Sequence, residues 1–389
     1  MSALSYLEKL LNGVDVEWVA LGSIADIGTG SSNRQDESDN GTYPFFVRSK
    51  NILKSDTFEF DEVAIVIPGE GGVGDIFHYV EGKYALHQRA YRISIQSNSL
   101  ITKFVYHFML SSFKQYILMK SVGATAISIR KPMLEGFQVP IPCPDQPEKS
   151  LAIQSEIVRI LDKFTALTAE LTAELTMRKK QYNYYRDQLL SLEEDEIEWK
   201  ALDDVCAFIS AGGDVPENSV KGQVKPTNEY PYPIYANATD EKGLYGYTDS
   251  YKIDSDAVTI SARGAKVGYH TVRDAKFTPI IRLIVLVANK NLVRTRYLNY
   301  VLDMTAIGGT DGGIPQLTVP MVKKITVPIP FASNPNRSLA EQDRIIAILD
   351  KFEILTNSIS EGLPREINLR QKQYEYYRDL LLSFPKSNV

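Results

Sequence analysis

An internal repeat is the feature of this 389-residue chain that most constrains its fold. Motifs of the first half return, in the same order, in the second half. They are VEWVAL (residues 16–21) and IEWKAL (197–202), VPIP (139–142 and 327–330), ILDKF (160–164 and 348–352), and KQYxYYRD (180–187 and 372–379). Such repetition indicates two copies of one structural unit. The chain is therefore expected to alternate globule, helix, globule and helix.

Each copy of ILDKF and KQYxYYRD lies in a segment whose apolar residues recur with helical spacing. The two stripes are Ile157, Ile160, Phe164, Leu167, Leu171, Leu175, Tyr182, Tyr185 and Leu189, and Ile345, Ile348, Phe352, Leu355, Ile359, Leu363, Tyr374, Tyr377 and Leu381. About forty residues at ~1.5 Å each make a helix on the order of 60 Å long. No globule covers a stripe of that length, so the two helices are expected to pair as an antiparallel coiled coil. Gly362 and Pro364 predict an interruption of the second helix.

The predicted fold class is α+β, with two pseudo-symmetric mixed α/β domains separated by the two long helices. The predicted boundaries are 1–146 for the first domain with its N-terminal segment, 147–196 for the central helix, 197–335 for the second domain and 336–389 for the C-terminal helix. Residues 62–67 and 257–260 are expected to form strands, and residues 100–120 a helix. Matching positions carry different residues, as in YPFFVR (43–48) and YPIYAN (232–237), which suggests two different ligands of one class.

The distribution of charge favours nucleic acid as that ligand, although the net charge of −5 counts against it. Residues 82–134 contain eight Lys or Arg and no acid, and residues 263–296 contain eight with Asp274 as the one acid. Tyrosines are interleaved with these basic residues. A basic stretch at the corresponding place in each half predicts a phosphate-neutralising face in each domain. A solvated charged surface is the alternative interpretation.

Composition and motifs exclude several other classes of protein. The chain has no run of about 18 apolar residues and no signal peptide at residues 1–9, so a cytoplasmic protein with no membrane contact is expected. Cys143 and Cys206 are too few for a zinc cluster, and the four histidines are scattered. No NPPY motif, P-loop or nuclease motif is present, and GEGGVG (69–74) is expected to be a tight turn rather than a nucleotide site. The sequence therefore predicts no catalytic residues and no metal site.

The order of these elements, with E-W opening each half and V-P-I-P and K-Q-Y-x-Y-Y-R-D closing it, resembles the specificity subunit of type I restriction-modification systems. The tandem TAEL (168–175) is similar to the central repeat of the type IC subgroup, in which repeat number goes with the spacing between half-sites. The resemblance implies two target-recognition domains that bind a bipartite sequence in double-stranded DNA. It also implies two modification subunits, which methylate adenine at N6, and restriction subunits with motor and nuclease activity. S-adenosylmethionine, ATP and Mg²⁺ would then be bound by the partner subunits, and this chain would need no cofactor.

The candidate site residues are selected by side-chain chemistry and repeat position. Arginine can bind guanine with two hydrogen bonds, while lysine mostly holds phosphate. The candidates for DNA binding are Arg48, Lys50, Arg89, Arg130, Lys131, Arg263, Lys266 and Arg282. Those for the spacer or for partner docking are Leu171, Leu175, Tyr182, Tyr185, Tyr374 and Tyr377; burial within the helix pair is the alternative role for the tyrosines. Two other functions stay open, a coiled-coil adaptor that does not recognise DNA and an enzyme with two pseudo-symmetric sites.

Overall fold

The computed structural model describes residues 13–385 except 73, 121–127, 192–195, 238–242, 265, 306, 308–315 and 359. The chain forms two compact units, one of Met1–Thr172 with Glu366–Val389 and one of Ala173–Arg365. The first unit is thus completed by the far end of the chain. The unit boundary at residue 172 lies inside the tandem TAEL. Ile359 of the predicted second stripe lies outside the described residues.

The first unit contains eight described strands and parts of two long helices. Its strands are β1 (Val16–Ala20), β2 (Ala25–Thr29), β3 (Tyr43–Phe46), β4 (Ile52–Ser55), β5 (Phe60–Pro68), β6 (His78–Leu86), β7 (Ala90–Ile95) and β8 (Gln138–Pro142). Its helices are α1 (Leu21–Ile24), α2 (Thr102–Lys120), α3 (Lys131–Glu135), the start of α4 (Pro147–Leu190) and the end of α9 (Gly362–Leu382), with a 3-10 turn at Arg34–Asp36. The predicted strand at 62–67 and helix at 100–120 are both confirmed.

The second unit repeats this order of elements. Its strands are β9 (Ile197–Ala201), β10 (Cys206–Ala211), β11 (Ser219–Lys221), β12 (Tyr232–Tyr235), β13 (Leu244–Thr248), β14 (Ala257–Ile260), β15 (His270–Arg273), β16 (Thr278–Pro279), β17 (Ile284–Ala288) and β18 (Thr326–Pro330). Its helices are α5 (Leu202–Val205), α6 (Thr295–Asp303), α7 (Val319–Lys323) and α8 (Pro335–Asn357), with the end of α4. The strand predicted at 257–260 is confirmed as β14.

The repeated motifs pair with each other inside their own unit. β1, which carries E-W, is antiparallel to β8, which carries V-P-I-P, with Trp18 opposite Pro140. In the second unit β9 is antiparallel to β18, with Trp199 opposite Pro328. The motifs that open and close each half in the sequence therefore close each globular unit in space.

The main sheets of the two units share one strand order but differ in continuity. In the first unit six strands form one sheet in the order β2-β7-β5-β6-β3-β4. The second unit has two four-stranded sheets, β10-β17-β14-β15 and β11-β13-β12-β16. The strand β6 pairs with both β5 and β3, whereas its counterpart is divided into β15, beside β14, and β16, beside β12. Lys276, with a φ of +69°, lies in the break between β15 and β16.

The core of each unit lies between its sheet and its helices. In the first unit, Phe104, Phe108 and Phe113 of α2 pack on buried residues of the sheet such as Ile65 and Ile93. In the second unit, the corresponding helix α6 packs Tyr297, Leu298 and Val301 on β14 and β17. Residues of the long helices complete each core, so the globules and helices are not separable packing units.

An antiparallel helix pair is present within each unit, as the sequence predicted. Phe164 of α4 stacks on Tyr377 of α9 at 5.3 Å between ring centroids, and Leu161 and Leu381 share one buried cluster. In the second unit Tyr185 of α4 stacks on Phe352 of α8 at 5.5 Å. The predicted interruption is also confirmed, because α8 ends at Asn357 and α9 begins at Gly362, whose φ is +73°.

A buried glutamine links each helix pair to its globule. The Gln154 side chain in α4 accepts a hydrogen bond from Ile101 N at 2.9 Å and donates to Ser99 O at 2.8 Å. Gln342 in α8 accepts from Arg294 N at 2.8 Å and donates to Leu292 O at 3.0 Å. Both side chains are fully buried. The start of α2 and the start of α6 are thereby held in the same way.

Candidate nucleic-acid interface

The fold neutralises much of the basic stretch at residues 82–134. The Arg92 guanidinium lies 2.5 Å from Asp26 and 3.1 Å from Glu62, on the strands either side of β7. Lys103 lies 3.9 Å from Asp162, and Lys114 lies 2.7 Å from Asp75. These three cations are paired within the fold, and the phosphate-neutralising face predicted from the stretch stays a prediction. Strand pairing at Arg92, and the placement of helix α2 at Lys103 and Lys114, bring acids from distant parts of the chain beside cations that are isolated from them in the sequence.

The second basic stretch is neutralised in the same manner over part of its length. Arg294 pairs with Asp343 and Arg296 with Asp350, each at 2.9 Å, and Lys290 pairs with Asp256. Arg273 is buried with its guanidinium 3.9 Å from the centre of the Tyr235 ring. Arg294 and Arg296 thus connect the start of α6 to α8, while Lys290 and Arg273 bind partners within the globule. Lys290 and Arg296 still keep about half of their side-chain surface exposed in these pairs.

Two predicted residues of the first unit meet at one acidic side chain. Arg48 follows β3 and Arg89 lies in the turn between β6 and β7. Each donates from Nη1 to Oε2 of Glu70, and each distance is 3.2 Å. All three side chains are about half exposed. Arg48 and Glu70 line a cavity of about 300 Å³ together with Arg34 and His87. We call Arg48, Glu70 and Arg89 the first cluster.

The backbone beneath the first cluster is tightly connected. Parallel pairing of β3 with β6 sets Phe46 opposite Leu86, and His87 N donates to Phe46 O at 2.9 Å. Gly69 N donates to Arg89 O at 2.9 Å. A Cβ atom at residue 69 would lie 2.9 Å from that same oxygen, so glycine permits this approach of the two turns.

His87 orders the turn that carries Arg89. The imidazole is buried, and its Nδ1 accepts a hydrogen bond from Arg89 N at 3.0 Å. Burial, with Arg48 and Arg89 as additional positive neighbours, lowers the pKa of His87. The neutral imidazole that this favours is the form that can accept the bond. The turn is thereby held in place at neutral pH.

The equivalent place in the second unit carries a different set of side chains. Asn237 follows β12 as Arg48 follows β3; it accepts a hydrogen bond from Ala262 N at 2.9 Å and donates to Ile281 O at 2.8 Å. This amide connects the residues before Arg263 and Arg282. Over the part of the chain that the structure describes, neither arginine has a carboxylate within ion-pair distance. We call Asn237, Arg263 and Arg282 the second cluster.

The remaining candidates for DNA binding lie close to these clusters in the chain. Lys50 is exposed two residues after Arg48, and Lys266 is exposed in the same turn as Arg263. Arg130 is exposed at the start of α3, two residues beyond the bridge between Ser128 and Glu70. Lys131 is exposed and lies 3.9 Å from Glu135 within α3. The DNA-binding role of all eight candidates stays a prediction.

The helix candidates divide by burial. Leu171, Leu175, Tyr182 and Tyr374 are half-buried, and burial raises the pKa of Tyr182 and of Tyr374 to about 12. Tyr185 and Tyr377 stack on phenylalanines of the opposing helix. The tyrosines between them in the motif, Tyr184 and Tyr376, are exposed by 58% and 55%. All four tyrosines that the sequence selected thus contact the opposing helix or its core, although Tyr185 stays 42% exposed.

Sequence reasoning missed Glu70, Asn237, Arg34 and His87. The signal for Glu70 and Asn237 was present in the repeat, since each occupies the position of an arginine in the other copy. A search for basic residues alone cannot find it. His87 and Arg34 carry no comparable signal, because their proximity to the cluster depends on the parallel pairing of β3 with β6 and on the bridge between Ser32 and His87.

The described part of the chain offers little for other chemistry. It contains no group of three or more His, Cys, Asp or Glu side chains placed to hold a metal ion. None of its helices is long and apolar enough to cross a membrane. GEGGVG forms the expected turn between β5 and β6, with Gly71, Gly72 and Gly74 at positive φ; Val73 lies outside the described residues.

Known proteins resemble this chain over nearly its whole length. The profile of the type I restriction modification DNA specificity domain matches residues 13–177 and 194–369. The EcoR124I/EcoR124II specificity subunit of Escherichia coli is 37% identical over 420 aligned positions, covering 99% of this chain and 98% of that protein. The EcoprrI specificity subunit of Escherichia coli is 32% identical, covering 93% of each chain.

Solved structures share the fold at low sequence identity. The S subunit of a type I restriction-modification system from M. genitalium is 16% identical, with a TM-score of 0.66 and coverage of 97% of this chain and 98% of that one. A chain solved for complex assembly and conformational transition of the type I restriction-modification system is 14% identical, with a TM-score of 0.52 and coverage of 96% and 98%. The predicted fold class of two mixed α/β units with long helices is confirmed.

Proposed function

This chain belongs to the family of type I restriction-modification DNA specificity subunits, and from that membership we propose that it directs partner subunits to a bipartite DNA sequence. It is the specificity subunit and supplies no catalytic group. Each unit binds one half-site in double-stranded DNA. Methylation of adenine at N6 and cleavage of unmodified DNA are carried out by the partner subunits.

One observation supports this proposal more than any other. The two units hold their exposed arginines at equivalent turns of one scaffold, with Arg89 before β7 and Arg282 before β17. The side chains around them differ, since Arg48 and Glu70 of the first cluster correspond to Asn237 and Arg263 of the second. Equivalent position with different chemistry is what two readers of two different half-sites require.

The partners of the chain follow from the same proposed function. We place two modification subunits, one for each unit, and restriction subunits in the assembly with this chain and DNA. S-adenosylmethionine, ATP and Mg²⁺ are bound by those partners. The complex works where the host DNA lies, in the cytoplasm.

The test is methylation mapping in a host without other adenine methyltransferases. The chain is expressed with its modification subunits, and every N6-methyladenine in the host DNA is located by single-molecule sequencing. One bipartite motif with a gap of unspecified bases is expected. The control strain expresses the modification subunits alone. If the complex assembles and methylates DNA but the methylated adenines share no motif, the adaptor function is supported and this proposal is rejected.

The tandem TAEL provides a second measurement on the same strains. Deleting residues 172–175 shortens α4 by one unit, which is about 6 Å of helix and roughly 40° of turn. The gap between the half-sites is expected to shorten by about one or two base pairs, at ~3.4 Å each, while both half-sites are retained. An unchanged gap in an active complex would show that α4 does not set the spacing.

A further inference from the structure

Glu70 is an unusual side chain to find at a DNA-binding surface, because phosphates repel a carboxylate. Its Oε2 accepts from both Arg48 and Arg89 at 3.2 Å. The three side chains are exposed by 45% to 55%. Ion pairs at such exposure contribute little to stability, because water screens the attraction between the charges. Stabilisation of the fold is therefore a poor explanation for this carboxylate.

The geometry leaves hydrogen-bonding capacity directed to solvent. Neither ion pair uses Oε1 of Glu70, and each arginine uses only Nη1. Two guanidinium groups fix the orientation of the carboxylate and offset its repulsion from phosphate. A carboxylate held in this way can accept a hydrogen bond from a base in the major groove.

The second unit presents the opposite charge at the same place. The backbone of Glu70 forms an antiparallel β-bridge with Ser128, and Ile129 N donates to Gly69 O at 2.8 Å. In the second unit the backbone of Arg263 forms an antiparallel β-bridge with Gln316, and Leu317 N donates to Ala262 O at 2.8 Å. Because the backbone bonds match, Glu70 and Arg263 occupy equivalent positions in their own units. The repeat has thus replaced an acceptor by a donor at one position.

We propose that Glu70 and Arg263 occupy the same specificity-determining position of the two units, where Glu70 accepts a hydrogen bond from a base amino group and Arg263 donates to guanine. The proposal rests on the function proposed above and adds the chemistry of one base in each half-site. The amino group is either N4 of cytosine or N6 of adenine. The motifs that the variants methylate or bind show which of the two bases it is. Arg48 and Arg89 act as positioning residues for Glu70.

The test compares motifs from Glu70→Gln, Arg263→Gln and the wild-type chain by methylation mapping. Rates on duplexes with single base changes give the discrimination at each position. Glu70→Gln removes the negative charge that Arg48 and Arg89 orient and adds an amide donor beside the base, so it is expected to reduce discrimination at least about fivefold at one base pair of one half-site, the lower end of what one base contact supplies. Arg263→Gln is expected to relax a guanine in the other half-site.

Glu156→Gln is the matched control, because Glu156 pairs with Arg159 at 2.6 Å in the same unit and lies on α4. It should leave both half-sites unchanged. Equal discrimination in Glu70→Gln and the wild type would overturn the proposal. So would a uniform loss of rate on all sequences, which would limit Glu70 to orienting arginines that contact phosphate. A wild-type chain without a bipartite motif would instead overturn the proposed function itself.

Discussion

At the scale of single residues, the repeat retains one buried glutamine with the same role in each unit. Gln154 and Gln342 each bond one backbone N–H and one backbone C=O at the start of the neighbouring helix. A buried backbone group without a partner is costly, so the amide cannot be exchanged freely. The residues of the two exposed clusters, in contrast, have diverged between the units.

Replacing either glutamine by alanine should therefore destabilise its own unit. Gln154→Ala leaves Ile101 N and Ser99 O without their partner, at a cost of about 1–3 kcal/mol. Gln342→Ala should do the same in the second unit. Urea denaturation measures the change, with the exposed Gln115→Ala as control. Equal stability of Gln154→Ala and Gln115→Ala would contradict the role given to the buried amide.

His107 makes the stability of the first unit depend on pH. It is 1% exposed, its Nε2 lies 2.8 Å from Asp162, and burial lowers its pKa although Asp162 opposes the shift. A lowered folded pKa means that the unfolded chain binds the proton more readily. Stability should therefore be highest above about pH 6.5 and fall as the pH decreases through the folded pKa, by about 1.4 kcal/mol per pH unit.

His107→Gln should make this loss smaller, because glutamine can bond Asp162 but does not titrate in this range. Thermal unfolding of both proteins between pH 7.5 and pH 5 is the measurement. The wild type should lose more stability than the variant over that interval. Parallel curves would show that His107 does not titrate on unfolding.

At the scale of elements, the helices pair through rings supplied by repeated motifs. The phenylalanine of ILDKF in one helix stacks on the last tyrosine of KQYxYYRD in the other, as Phe164 with Tyr377 and Phe352 with Tyr185. The adjacent Tyr184 and Tyr376 project to solvent. Consecutive residues of a helix are rotated by about 100° around its axis, so one tyrosine packs on the opposing helix and the next does not.

This difference predicts unequal effects of alanine at adjacent tyrosines. Tyr377→Ala should cost about 1–2 kcal/mol through the lost ring stack and the cavity it leaves. Tyr376→Ala should change stability by less than about 0.5 kcal/mol. The pair Tyr185→Ala and Tyr184→Ala repeats the comparison in the second unit. Chemical denaturation gives all four values, and equal losses within a pair would count against the stacking.

At the scale of the whole molecule, the two units are unequal in how the chain builds them. The second is one continuous segment, while the first also needs Glu366–Val389. Leu381, Leu382 and Phe384 are buried in the core of the first unit, and Trp18 Nε1 donates to Pro385 O at 3.0 Å. The stability of the first unit thus depends on residues more than 350 positions away.

A chain that ends at residue 365 should therefore lose stability in the first unit alone. Each lost buried leucine removes roughly 1.5–3 kcal/mol of hydrophobic stabilisation. Hydrogen exchange followed by mass spectrometry should show faster exchange in α2 and β8. Peptides from α6 and β18 provide the internal control and should keep their protection. Uniform acceleration across both units would contradict the division of the chain described above.

The sequence by itself determined the twofold plan, the positions of the helices, the interruption at Gly362 and the pairing of two amphipathic stripes. All of these depend on short-range periodicity or on repeated motifs, which are visible along the chain. Family membership could be inferred for the same reason, since the order of the motifs is a property of the sequence.

Tertiary structure alone decided which cations pair with a carboxylate. Arg92, Lys103 and Arg296 lie in stretches almost free of acid, yet each pairs with a carboxylate from a distant segment. Strand register likewise placed Glu70 beside Arg48 and Arg89. The same register in the second unit gives Arg263 the position that is equivalent to that of Glu70. Electrostatic interactions depend on distance in space rather than along the chain, so only the folded structure could show where one charge meets another.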